Sequence, residues 1–276
     1  MRRRAASGTA GRARAGIQPA VLLPAVFLVA GLVAGAAARA GAQDVNPDAV
    51  LGLARVDSVA IAAPGRVTGF AWLGPDTLAV LVVGDAATGA DGRAGARLLV
   101  QDRRGTVLRS ADVTGVLDRG LAWDGHALWS CGDVEGGGSK LYRLDPGPLT
   151  VAASFPTAGH RPAGVACDGR FVWLADRDAA RLERFDTELG EITRTTPTPA
   201  FSPCGLAWDG LHLWVSDAGT GRLYRLSGPS RAWSGTVDAA DCLWRGRPVH
   251  LSFNGRDLWY LAEGATHAVR VRLPER

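Results

Sequence analysis

Apolar and polar positions along this chain alternate in short runs, and the runs recur. Leu141-Tyr-Arg-Leu144, Leu182-Glu-Arg-Phe185, Leu223-Tyr-Arg-Leu226 and Val269-Arg-Val-Arg272 carry the two-residue period of a half-buried strand. Upstream of them stand near copies of one segment: Gly120-Leu-Ala-Trp-Asp-Gly125, Gly164-Val-Ala-Cys-Asp-Gly169 and Gly205-Leu-Ala-Trp-Asp-Gly210. His250-Leu-Ser-Phe-Asn-Gly255 is a fourth copy and Gly69-Phe-Ala-Trp-Leu-Gly74 a degenerate fifth. Asp-Gly or Asn-Gly between two apolar runs predicts a hairpin with a type I′ turn, in which both central residues have φ > 0. A more polar strand is expected after each unit, at Thr106–Ser110, Val151–Phe155, Glu191–Thr195 and Ala232–Val237.

The aromatic slot of the repeat (Trp72, Trp123, Cys167, Trp208, Phe253) recurs at spacings of 51, 44, 41 and 45 residues. Four strands per unit of that length make a β-propeller blade, in which each blade buries the faces of its neighbours. The pattern therefore predicts an all-β chain: a five-bladed β-propeller with four antiparallel strands per blade. The last repeat stops after its third strand. Leu53–Ala62 has outer-strand character, and pairing it with that blade closes the ring and removes an open edge.

Nine tryptophans could suggest a stacking platform, but seven fall on repeat positions (72, 123, 129, 173, 208, 214, 259), which predicts packing between blades. Trp233 and Trp244 lie off the register. Trp244, in the connection before the fifth unit, is the candidate for an exposed contact.

Charge divides the chain. Residues 1–42 hold six arginines and no acid, whereas the rest carries 25 basic against 27 acidic residues, a formal −2 within an overall +4. A soluble nucleic-acid binder needs surplus basic residues on its folded part, so that class is excluded. The opening segment has a basic stretch through Arg14, an apolar run from about Ile17 to Ala38, and the small residues Ala40-Gly41-Ala42. This is the layout of a signal peptide cut after Ala42; the alternative is an uncleaved membrane anchor, since such a run can span a bilayer. Residues 43–276 are expected as a single propeller domain in the periplasm or secreted, with no membrane contact beyond a retained anchor.

Propellers tend to place function at the end of the axis where inner strands begin. Arg66, Arg161 and Arg247 occupy equivalent positions just before those strands, and Arg119 lies two residues later in a fourth unit. Guanidinium groups converging on one mouth would attract carboxylate or phosphate; the plain alternative pairs them with Asp118, Asp133, Asp176, Asp217 and Glu263 on the same rim. His250 replaces the glycine that starts the other four copies, and His160 precedes Arg161. The expected ligand-binding set is Arg66, Arg119, Arg161, Arg247, His250 and Trp244, with an anionic small molecule or an envelope protein as partner. No cofactor or metal is expected: there is no G-x-S-x-G elbow, H-E-x-x-H or P-loop, and the aspartate pairs read as turn formers. In an exported chain, four cysteines suggest disulfides. The register places Cys204 and Cys242 at the same end of neighbouring blades, the preferred pair. Cys131 and Cys167 would have to bridge the height of a blade and are expected as buried thiols.

Gly-Leu-Ala-Trp-Asp-Gly, then Leu-Trp-(Val/Leu)-(Ser/Ala)-Asp, then Leu-Tyr-Arg-Leu resembles the repeats of secreted bacterial propellers. Across residues 66–273 the pattern is similar to the five-bladed glutaminyl-peptide cyclotransferase (glutamine cyclotransferase) group, and more loosely to gluconolactonase-type and streptogramin-lyase-type propellers. The resemblance implies the five-bladed fold. It also implies, for the cyclotransferase group, a glutamate before the Gly-Leu of an inner strand; the corresponding residues here are Thr68, Arg119, Ala163, Cys204 and Val249. Two functions remain in view. One is a ligand- or protein-binding module using the arginine-bearing face. The other is an enzyme of the cyclotransferase or lactonase/lyase type, with His250 as general base.

Overall fold

A computed structural model of the chain describes residues 54–62, 65–87, 94–135, 137–159, 161–227, 232–238 and 248–272. The chain enters through β1 (Ala54–Ala60). Blade one is β2 (Arg66–Trp72), β3 (Thr77–Ala87), β4 (Ala94–Asp102) and β5 (Val107–Asp112). Blade two is β6 (Arg119–Trp123), β7 (Leu128–Asp133), β8 (Ser139–Asp145) and β9 (Thr150–Pro156). Blade three is β10 (Pro162–Cys167), β11 (Phe171–Asp176), β12 (Arg181–Asp186) and β13 (Glu191–Pro197). Blade four is β14 (Pro203–Trp208), β15 (Leu213–Asp217), β16 (Arg222–Ser227) and β17 (Ala232–Asp238). Blade five holds β18 (Pro248–Phe253), β19 (Leu258–Ala262) and β20 (His267–Arg272), with β1 as its outermost strand. Blades one to four are four-stranded antiparallel meanders, and blade five is a four-stranded antiparallel sheet whose outer strand is β1. The fold is all-β, a five-bladed propeller.

β1 pairs with β20 from Ala54↔Arg272 to Ala60↔His267. The first described strand thus completes the last blade.

The burial pattern follows strand position. Inner strands such as β10 and β14 are buried almost throughout, because each lies between two neighbouring inner strands and the axis. Outer β13 alternates exposed and half-buried residues along its whole length, the two-residue period of a strand with one wet face. A separate apolar cluster fills each of the five gaps between blades. Trp129, Trp173, Trp214 and Trp259 are all within 2% of full burial. Trp123 and Trp208, in the aromatic slot, are only half-buried and face the far end of the axis.

The hairpin between inner and second strands differs from the type I′ expectation. Gly125, Gly169, Gly210 and Gly255 have φ between 89° and 98°, but the aspartate or asparagine before each does not join them in the left-handed region. The aspartate side chain takes over instead. Asp124 Oδ1 accepts the N–H groups of His126 and Ala127, both at 2.7 Å, so the turn needs one left-handed residue rather than two. The second oxygen ties the turn to the core: Trp129 Nε1 donates to Asp124 Oδ2 at 2.6 Å. Trp173 donates to Asp168 at 2.9 Å and Trp214 to Asp209 at 2.8 Å in the same way. Blade five has Asn254. Its Oδ1 accepts from Arg256 and Asp257, but an amide nitrogen stands where the second oxygen would be, and the buried Trp259 Nε1 has no acceptor among the described residues.

Candidate functional site

The inner strands start at one end of the axis, and there the connecting loops leave a cavity of about 190 Å³. Arg66, Arg119 and Arg161 line it from three successive blades, and His250 from the fifth. The sequence grouping thus brings four of its six residues together. Arg247 and Trp244 lie outside the described residues, as do His160 and Cys242. Arg177 also lines the cavity, and was missed because it follows a second strand instead of preceding an inner one. Its Nε donates to Ser202 Oγ at 2.7 Å. That loop is itself fixed by Asp217, a buried carboxylate accepting from Phe201 N and Ser202 N at 3.0 Å and from Gly219 N at 2.8 Å.

The rim acids divide unequally among the arginines. Asp133 grips Arg119 with both oxygens, at 3.1 and 2.6 Å, and Asp118 lies 3.3 Å from the same guanidinium. Asp176 is buried and pairs with Arg181, which also holds buried Glu183 at 2.9 Å. Arg161 has only a 3.5 Å contact with exposed Asp178. Arg66 forms no ion pair among the described residues. Among the described residues, the lining of the axial cavity therefore sets four guanidinium groups against one acid, Glu263.

Below this mouth the axis closes. A Cβ on Gly69 would stand 2.7 Å from the carbonyl carbon of Gly120, and one on Gly164 would overlap the carbonyl oxygen of Cys204. Only about 10 Å³ is open at this level. Glycine at these positions lets neighbouring inner strands touch backbone to backbone. At the fifth position His250 fills the gap with its ring, and Nε2 reaches the Val67 carbonyl of blade one at 3.1 Å, with the proton on Nε2 in that contact. Burial pushes the His250 pKa down to about 4. A neutral imidazole tied to backbone suits a strut between blades better than a base working near neutral pH.

A second cavity, of about 300 Å³, opens beside the mouth between blades one and two. Arg66 and Arg119 line both cavities, so the two form adjoining lobes. Val83, Ala96, Val116 and Leu117 make its apolar wall; Asp118 and Asp133 face them. Asp118 Oδ1 is buried without a hydrogen-bond partner among the described residues. Burial raises the Asp118 pKa to about 6, against the opposing pull of Arg119.

Among the described residues no disulfide is formed, and the expected partner of Cys204 lies outside them. Cys204 Sγ sits 3.2 Å from Ser216 Oγ. Cys131 and Cys167 are free thiols, and burial pushes both pKa values well up.

No family model matches the chain, and no curated protein does. Among solved structures it is similar to the glutaminyl cyclase of Myxococcus xanthus. The TM-score is 0.63 with 12% identity, over 82% of this chain and 98% of that one. It is also similar to virginiamycin B lyase from Staphylococcus aureus, with a TM-score of 0.44 and 17% identity over 70% of this chain and 67% of the other. The likeness to the cyclase is one of fold.

Proposed function

We propose that this propeller is a ligand-binding module of the cell exterior, holding the anionic group of a small molecule in its axial mouth. One observation carries the reading: among the described residues, four arginines from three blades line one cavity with a single acid, and Arg66 has no ion pair. In a partly dry cleft, guanidinium groups in that arrangement match carboxylate and phosphate oxygens. The arginine-rich and then apolar opening of the chain supports export. Calorimetry with sulfate and succinate at low salt is the test. The Arg66→Ala/Arg161→Ala double variant is expected to bind at least tenfold more weakly, a loss of about 1.4 kcal/mol or more. Equal affinity for the two proteins would sink the reading.

A second reading, an enzyme of the glutaminyl-peptide cyclotransferase or lactonase/lyase type, is favoured by Asp118. A carboxyl group shifted towards neutrality in a cavity is suited to acid–base chemistry. Incubation with N-terminal glutaminyl peptides and simple lactones, with and without divalent metal, decides it. Turnover abolished in Asp118→Asn supports an enzyme, and no turnover by the intact protein rejects it.

A further inference from the structure

The side lobe specifies more of the ligand than its anionic group. Among its described residues the charges are balanced, two arginines against two aspartates, so they make neither a purely anion-binding nor a purely cation-binding lining. Their arrangement is uneven. Arg119 takes both acids, with Asp133 at 2.6 Å and Asp118 at 3.3 Å, which leaves that corner one positive charge short. Arg66 forms no ion pair among the described residues. These two ends form no ion pair, although the Arg66 charge acts on Asp118 across the lobe; the apolar Val83, Ala96 and Val116 share the space with them. Two opposite charges held apart beside an apolar wall are complementary to a molecule carrying the inverse pair.

We propose that the lobe takes a zwitterion, a free α-amino acid with an apolar side chain. Its carboxylate meets Arg66, its ammonium meets Asp118 and Asp133, and its side chain lies on Val83, Ala96 and Val116. The inference rests on the mouth being a ligand site and names the class of ligand. The ammonium reaches the accessible part of Asp118 rather than its buried Oδ1. The exposed part of that side chain is available to it, since 37% of the Asp118 side chain and 43% of the Asp133 side chain remain accessible. Inorganic anions answer only the arginines, and a simple amine answers only the aspartates.

Four probes test this on the full chain by calorimetry at neutral pH: L-leucine, isocaproate (which lacks the amine), isoamylamine (which lacks the carboxylate) and sulfate. Leucine is expected to bind at least tenfold more tightly than isocaproate or isoamylamine. In Asp118→Asn its affinity should fall to that of isocaproate, while isocaproate binding stays within twofold. In Arg66→Gln both should weaken. Acidification below pH 6 should weaken leucine binding and spare isocaproate. If sulfate and isocaproate bind but leucine binds no better, the zwitterion is wrong and the anion-binding mouth stands. If none of the four binds, both fall. A leucine affinity unchanged in Asp118→Asn, in protein whose melting is unaltered, also overturns the proposal.

Discussion

Single atoms decide several features of this chain. Three blades carry an aspartate whose second oxygen accepts a tryptophan N–H, and the fifth carries Asn254, which cannot. Asn254→Asp restores the acceptor and is expected to stabilise the protein by about 1 kcal/mol, the usual worth of one buried hydrogen bond. Urea denaturation measures it, and a lowered midpoint contradicts it. Two titrating groups act in opposite directions on acid stability. Asp118 has a folded pKa raised to about 6, so its contribution is complete below its ordinary value near 4 and lost as pH rises through 6. His250 has a folded pKa lowered to about 4, so its contribution is complete above 6.5 and lost as pH falls through 4. Between pH 4 and 6 the two oppose each other. Asp118→Asn should therefore make the protein more acid-labile relative to its own stability at pH 7, and His250→Gln less so. Denaturation midpoints across that range would show parallel profiles if either assignment were wrong.

At the scale of strands, the repeat was legible because it is written twice, once in alternating runs and once in the glycine, aspartate and tryptophan at fixed offsets. The outer strands lie within two residues of their expected ends; the expected Glu191–Thr195, for instance, runs Glu191–Pro197. The turn type was not legible. Asp-Gly fixes the glycine as left-handed, and whether the aspartate joins it depends on what its side chain caps. That Arg66, Arg119, Arg161 and His250 share one cavity was legible because position before an inner strand fixes which end they occupy. Arg177 and the side lobe were not. One depends on a loop after a second strand, and the other on a gap between blades that no single repeat contains. Glycine in the axial slot and glycine in the turn do different jobs, which substitution separates. Gly164→Ala drives a Cβ into the Cys204 carbonyl and is expected to cost about 3 kcal/mol, at the upper end for overpacking. Gly169→Ala meets nothing and carries only the left-handed backbone penalty, about 1–2 kcal/mol. Urea midpoints should rank them in that order; a reversed ranking would mean that the inner strands can move apart.

For the whole molecule, the seam lies in blade five, where strands from the two ends of the described chain share one sheet. Val59 of β1 is buried in the cluster between blades five and one, together with Phe70 and Trp259. Val59→Ala removes two carbons from that cluster and should cost about 2 kcal/mol. In a domain of this size that lowers the melting temperature by about 4–8 °C. The loss should appear as one shift of the whole transition, with tryptophan fluorescence and circular dichroism moving together. A separate early transition would show that the last blade melts by itself.

The close approach of the inner-strand glycines has a consequence for traffic. Backbone contact halfway down makes the axis a cup rather than a pipe, so whatever enters at the arginine end must leave by the same opening. Arrival and departure then share one gate and one electrostatic field. A second molecule settling on the rim would slow release of the first without displacing it, and could seal it in.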